Sequence, residues 1–133
     1  MDDFDSLIFV GGFGAAKNLS DFAFVGENYK VLPEIEKVII DFHSSQKWIL
    51  AMCIAPVLIA KTIEGCEITI GNDQETSNLL TSSKHVNCQV TEYHVDETHR
   101  LITTPAYMLA ENLIELEQGI SNSLKALHSI LTN

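Results

Sequence analysis

Cys53 is the residue in this sequence best placed by its neighbours to do chemistry. It closes the apolar run Trp48-Ile49-Leu50-Ala51-Met52, and Pro56 follows three residues later. An unbroken apolar run of this length reads as a strand covered on both faces, and a proline suits the first position of a helix, where its missing N–H costs nothing. Cys53 is therefore expected at the carboxyl end of a strand and close to a helix N-terminus, where open α/β sheets keep their sites and the helix dipole favours a thiolate. Ala51 and Ala55 flank it at the second position on either side. A strand-to-helix elbow needs small residues there, although hydrolase elbows carry glycine at both places. The same stretch also suits an inert cysteine packed as a small hydrophobe, and taken alone it leaves both readings open.

A second strand candidate, Leu7-Ile8-Phe9-Val10, breaks at Gly11-Gly12-Phe13-Gly14. This loop matches neither phosphate-binding signature: Lys17 stands where a third dinucleotide-loop glycine would be, and no Gly-Lys-Ser/Thr follows. A glycine pair at a carboxyl strand end can instead aim backbone N–H groups at a developing oxyanion. If the two strands are neighbours, the amides of Gly11 and Gly12 and the Ile54 N–H converge on Cys53. Thr103-Thr104-Pro105-Ala106-Tyr107-Met108 closes another strand and opens a helix, so Thr104 or that helix N-terminus is expected to line the site. An N-cap threonine ahead of a helix-opening proline explains the same residues. The histidines at 43, 85, 94, 99 and 128 are candidates by type only, and His85-Val86-Asn87-Cys88 is half a zinc site without a matching half, so no metal is expected.

The elements that must position these residues alternate. A helical turn or two fits Ala15 to Val25, closed by Gly26-Glu27-Asn28. Pro33 opens a helix whose stripe is Ile35, Val38, Ile39 and Phe42. A helix from Pro56 to Ile63 follows the Cys53 strand, then a strand at Glu67 to Ile70, a modest helix over Glu75 to Ser83, and strand character over Val86 to Val90. Tyr93-His94-Val95 and Leu101 to Thr104 flank Asp96-Glu97-Thr98-His99 as a hairpin. From Pro105 onward Ala106, Leu109, Leu113, Leu116, Ile120, Leu124, Leu127 and Leu131 recur at helical steps. Strands alternating with helices imply an α/β fold with a mostly parallel, doubly wound sheet.

Of the 133 residues 46% are hydrophobic, enough for the core of one domain, and the net charge is −10 with eight scattered basic residues. Nucleic acid and anionic membrane surfaces are therefore not expected partners. The longest apolar stretch, Ile49 to Ala60, is broken by Pro56 and is too short to span a bilayer. The acidic start, Met1 to Asp5, has the wrong charge for a leader, and cysteines at 53, 66 and 88 form no disulfide framework, so the expected location is cytoplasmic.

Three pieces taken together carry a family resemblance: Val10 to Ser20, Met52-Cys53-Ile54-Ala55-Pro56, and Thr103 to Ala110, with Thr69-Ile70-Gly71 and Val95-Asp96 between them. They resemble the ElbB-type, glyoxalase-like branch of the PfpI superfamily, whose fold is the type 1 glutamine amidotransferase-like one. The resemblance implies a flavodoxin-like three-layer α/β/α sandwich with Cys53 as nucleophile, an oxyanion pocket from Gly11, Gly12 and Ile54, and Phe13, Thr104 and Tyr107 as further lining. It implies cofactor-independent, glyoxalase-like chemistry on small 2-oxoaldehydes, a homodimer, and an association with isoprenoid synthesis. Protease and amidotransferase relatives place a histidine directly after the cysteine or near the last helix start. Here Ile54, Ala106 and Tyr107 stand there, so proteolysis and glutaminase activity are not expected. The resemblance also implies a βαβ-sized region ahead of Ser6, carrying an acidic partner for the cysteine. This sequence has no counterpart, so residues 1–133 read as a single incomplete domain with an open edge on its first strand. A non-catalytic or redox-responsive member of the same fold is the alternative function that this departure favours.

Overall fold

A computed structural model describes residues 2–133. Strand β1 (Ser6–Phe9) lies parallel to β2 (Trp48–Met52), with Ile8 beside Leu50 and Phe9 beside Ala51. On its other side β2 lies parallel to β6 (Leu101–Thr104), and β5 (His94–Asp96) closes the sheet antiparallel to β6, giving the order β1-β2-β6-β5. The expected hairpin between β5 and β6 is thus present, and β1 is an edge strand. The central strand explains itself by period-2 alternation with both faces apolar. Ile49 and Ala51 join one buried cluster and Leu50 and Met52 the other.

The first cluster sits under α1 (Phe13–Lys17), α2 (Phe22–Val25), α3 (Pro33–Ser44) and α4 (Pro56–Thr62), and the second under α6 (Leu113–Thr132). Helices on both faces of a mostly parallel sheet make the three-layer α/β/α sandwich that the alternation predicted. Two details differ on the first face. The helical stretch after Gly14 is split into α1 and α2, because Ser20 pairs with Val31 and the Ser20 hydroxyl donates to the Ala15 carbonyl between them. In α3, Ile39 and Phe42 are buried and Ile35 half-buried, whereas Val38 faces out.

Strands β3 (Glu67–Gly71) and β4 (Lys84–Asn87) form a separate parallel pair rather than continuing one ladder. Side chains stitch this pair to the main sheet. The Thr69 N–H donates to the Thr103 hydroxyl oxygen (3.0 Å), and the Glu67 N–H donates to Asp96 Oδ2 (2.8 Å). His85 of β4 accepts the Ile70 N–H on Nε2, which ties it to β3. Among the described residues no group of three or more His, Cys, Asp or Glu could hold a metal ion. The helix expected over 75–83 is a single turn, α5 (Gln74–Ser77), capped by the Asp73 carboxylate.

The last helix begins later than the sequence periodicity predicts. Pro105 leads only into a 3-10 turn, Ala106–Met108, and α6 starts behind an Asn112 cap. Its inward face holds Leu116, Gly119, Ile120, Ser123, Ala126 and Leu127, while Leu113 is 81% exposed. Small residues win the inward positions because the helix backbone rides close to the β4–β5 connection. A Cβ on Gly119 would collide with the Val90 carbonyl oxygen. Gly119→Ala is therefore expected to destabilise by about 1–2 kcal/mol, the overpacking cost outweighing the gain of nearly 1 kcal/mol in helix propensity. Urea unfolding checks the sign, since propensity alone would stabilise.

Candidate active site

The turn after β2 is an elbow. Cys53 carries φ +62°, a left-handed conformation that non-glycine residues rarely adopt. Fixed bonds on both sides hold it there: the Cys53 N–H donates to the Thr104 carbonyl (2.9 Å) and the Ala55 N–H to the Met52 carbonyl (3.0 Å). Pro56 sits at the first turn of α4, as its missing N–H dictates. Strain concentrated at one cysteine, with its neighbours relaxed, is the geometry of a nucleophile elbow.

The glycine loop meets this elbow because β1 and β2 pair in register. Gly11 (φ +98°) approaches so closely that a Cβ on it would lie 2.6 Å from the Met52 carbonyl oxygen and 2.9 Å from Cys53 Cβ. Gly12 (φ +86°) caps α1. Backbone N–H groups of Gly12 and Ile54 face the Cys53 sulfur, and that of Met108, which donates to the Pro105 carbonyl (2.9 Å), lies beside it. Burial pushes the thiol above its ordinary pKa, and those three N–H groups offset only part of the rise. No charged side chain contributes to that balance.

The sulfur opens into a cleft of about 450 Å³ lined by Phe13, Ala16, Phe22, Ala23, Cys53, Ile54, Thr76, Leu79 and Met108. The structure thus brings together Gly11, Gly12, Phe13, Cys53 and Ile54. It does not bring Thr104 or Tyr107 to the cleft. Thr104 is fully buried, donating its hydroxyl to the Glu92 carbonyl (2.8 Å) and lending its own carbonyl to Cys53, so it braces the elbow from behind. It caps no helix either. Tyr107 is 51% exposed. Met108 takes the place expected of these two, since the tight 3-10 turn with Ala106 at φ +43°, closed by the Met108 N–H donating to the Pro105 carbonyl (2.9 Å), brings Met108 into the cleft lining beside Cys53. No sequence signal marks this turn, because the periodicity from Pro105 onward reads as one continuous helix. The walls from α2 and α5, Phe22, Thr76 and Leu79, come from distant segments whose apolar residues read only as core.

Cys66 is fully buried and raised to about 12, burial being the first cause, and the same burial raises Cys88. Neither lines the cleft.

No family model matches the chain. It is 44% identical over 132 residues to the ES1 protein homolog, mitochondrial, of Rattus norvegicus, covering 91% of this chain and 50% of that protein. It is 43% identical over 127 residues to the glutamine amidotransferase-like class 1 domain-containing protein 3, mitochondrial, of Homo sapiens, covering 87% and 47%. The chain thus spans about half the length of the curated relatives it matches. Among solved structures, an isoprenoid biosynthesis protein with an amidotransferase-like domain from Ehrlichia chaffeensis aligns with a TM-score of 0.84 at 28% identity, covering 98% of this chain and 61% of that one. Drosophila melanogaster DJ-1beta shares the fold at a TM-score of 0.66 and 18% identity, over 99% and 59% of the two chains. Sequence and fold point the same way: the chain is similar to the ES1 proteins and to a glutamine amidotransferase-like class 1 domain-containing protein, and it shares the fold of an amidotransferase-like domain and of DJ-1beta.

Proposed function

We propose that Cys53 is the nucleophile of a glyoxalase-like, cofactor-independent conversion of 2-oxoaldehydes to 2-hydroxy acids. The observation that carries this reading is the strained elbow, with the Gly12 and Ile54 backbone N–H groups facing one sulfur at the end of a cleft. The thiol adds to the aldehyde carbon: an S–C bond forms, the carbonyl π pair moves to oxygen, and that oxygen takes the thiol proton. Gly12 and Ile54 amides, with the Gly11 turn holding them in place, stabilise the oxygen while it is charged. The C1 hydrogen then passes as a proton to C2, whose carbonyl becomes the alcohol, leaving a thioester. Water cleaves the S–C bond, restores the thiol and releases the hydroxy acid. C1 is oxidised and C2 reduced within one molecule, so no external oxidant is needed.

Among the described residues Cys53 is the one ionisable side chain lining the cleft, so in this mechanism water carries the proton between C1 and C2. That same observation favours the second reading, a non-catalytic or redox-responsive protein in which chemistry stops at a modified Cys53. Intact mass and 2-hydroxy acid release, followed together, separate the two. Turnover abolished by Cys53→Ala supports the enzyme, and an adduct on Cys53 without product supports the alternative. Product formation unchanged in Cys53→Ala sinks both. Because burial raises the thiol pKa, adduct formation is expected to accelerate as pH rises above neutral. Assembly as a homodimer, and residence in a reducing compartment such as the cytoplasm, belong to the same proposal. The relatives' names place those proteins in mitochondria, and among the described residues no helix is long and apolar enough to cross a membrane.

A further inference from the structure

The cleft at Cys53 is larger and more apolar than a three-carbon aldehyde requires. Phe13, Phe22, Ile54, Leu79 and Met108 form most of its lining, and no charged side chain is among them. Its one hydroxyl, on Thr76, is already committed, donating to Asp73 Oδ2 at 2.7 Å. A cavity of ~150 Å³ with apolar walls accepts a benzene ring, so about 450 Å³ leaves ample room beside the sulfur for a ring or branched chain. Phe13 stands at the mouth with 70% of its surface in water, although it lines the cleft. An apolar guest would cover that ring and gain its burial, whereas methylglyoxal is too small to do so. A carboxylate in the cleft would find no cation and would lose its hydration without compensation.

We propose that this cleft selects 2-oxoaldehydes with an uncharged aryl or branched-alkyl substituent over methylglyoxal and over carboxylate-bearing substrates such as glyoxylate. The selection rests on the Cys53 chemistry proposed above and adds its specificity. Phe13 is the specificity residue at the entrance, reached without disturbing the core.

Two measurements test this. In steady-state assays kcat/KM for phenylglyoxal should exceed that for methylglyoxal at least about tenfold, the discrimination available from a few extra apolar atoms. Glyoxylate should not react, and Phe13→Ser should narrow the ratio of phenylglyoxal to methylglyoxal kcat/KM. In parallel, iodoacetamide labelling of Cys53 is timed with unreactive diols present. 1-Phenylethane-1,2-diol should slow labelling at concentrations where propane-1,2-diol does nothing. Equal protection by the two diols, or methylglyoxal preferred to phenylglyoxal, overturns the proposed selectivity and leaves the enzymatic reading standing. Protection by the phenyl diol with no turnover of any aldehyde does the reverse, supporting the apolar selectivity and removing the enzyme.

Discussion

Gly11→Ala is expected to cost about 2–5 kcal/mol of stability and to disable Cys53, the largest effect of any single methyl group at this site. Two penalties add. At φ +98° an alanine pays the left-handed penalty of about 1–2 kcal/mol. Its Cβ would also lie 2.6 Å from the Met52 carbonyl oxygen and 2.9 Å from Cys53 Cβ, so β1 and the elbow must separate, an overpacking cost of about 1–3 kcal/mol. Separation moves the Gly12 N–H away from the sulfur as well. Gly12 supplies the control: its φ is +86°, yet a Cβ there meets nothing within 4 Å. Gly12→Ala should therefore show only the conformational penalty. Urea unfolding and the Cys53 alkylation rate should both rank Gly11→Ala as far more severe. Equal, mild effects at the two positions would mean that the close approach does not hold the elbow.

That contrast also marks the boundary of what the sequence could tell. The elbow was legible because two local signals coincide there, an unbroken apolar run and Pro56 three residues past the cysteine. The glycine loop was legible as a strand-end turn, but the unequal roles of Gly11 and Gly12 depend on which strand lies beside β1. The α6 stripe differs from its sequence periodicity for a related reason. Periodicity counts large apolar residues and so included Leu113 and Leu124, which are exposed. The face against the sheet is set by close approach, which selects Gly119 and Ser123. Met108 is not legible as a cleft residue because it sits in a 3-10 turn that the helical periodicity from Pro105 runs straight through. Phe22 and Leu79 were visible as apolar residues, but nothing local says that they face a cleft and not solid core.

Asp96 is the other residue whose weight only the folded chain reveals. Read in sequence it belongs to a hairpin turn; in the structure it is 4% exposed and binds three groups. Its carboxylate accepts the Glu67 N–H at 2.8 Å, the His99 N–H at 3.0 Å and the His99 ring Nδ1–H at 2.8 Å, tying β3 to the β5–β6 hairpin. Burial works to raise its pKa, and the hydrogen bonds from Glu67 and His99 outweigh that, so the folded-state value lies below the ordinary one. A carboxylate depressed on folding contributes stability that is complete above the unfolded pKa and disappears as pH falls through the folded one. With an ordinary aspartate near 3.9, the contribution should be intact above about pH 5 and lost at lower pH. Asp96→Asn keeps the shape but turns an NH2 toward at least one backbone N–H, leaving a buried donor unpaired. The expected loss is about 2–4 kcal/mol at pH 7. Urea unfolding of both proteins between pH 7 and pH 3 provides the check. The gap between wild type and Asp96→Asn should shrink as the wild-type carboxyl takes up its proton. A gap of the same size across the whole range would show that the charge of Asp96 contributes nothing and that only its packing holds β3 to the hairpin.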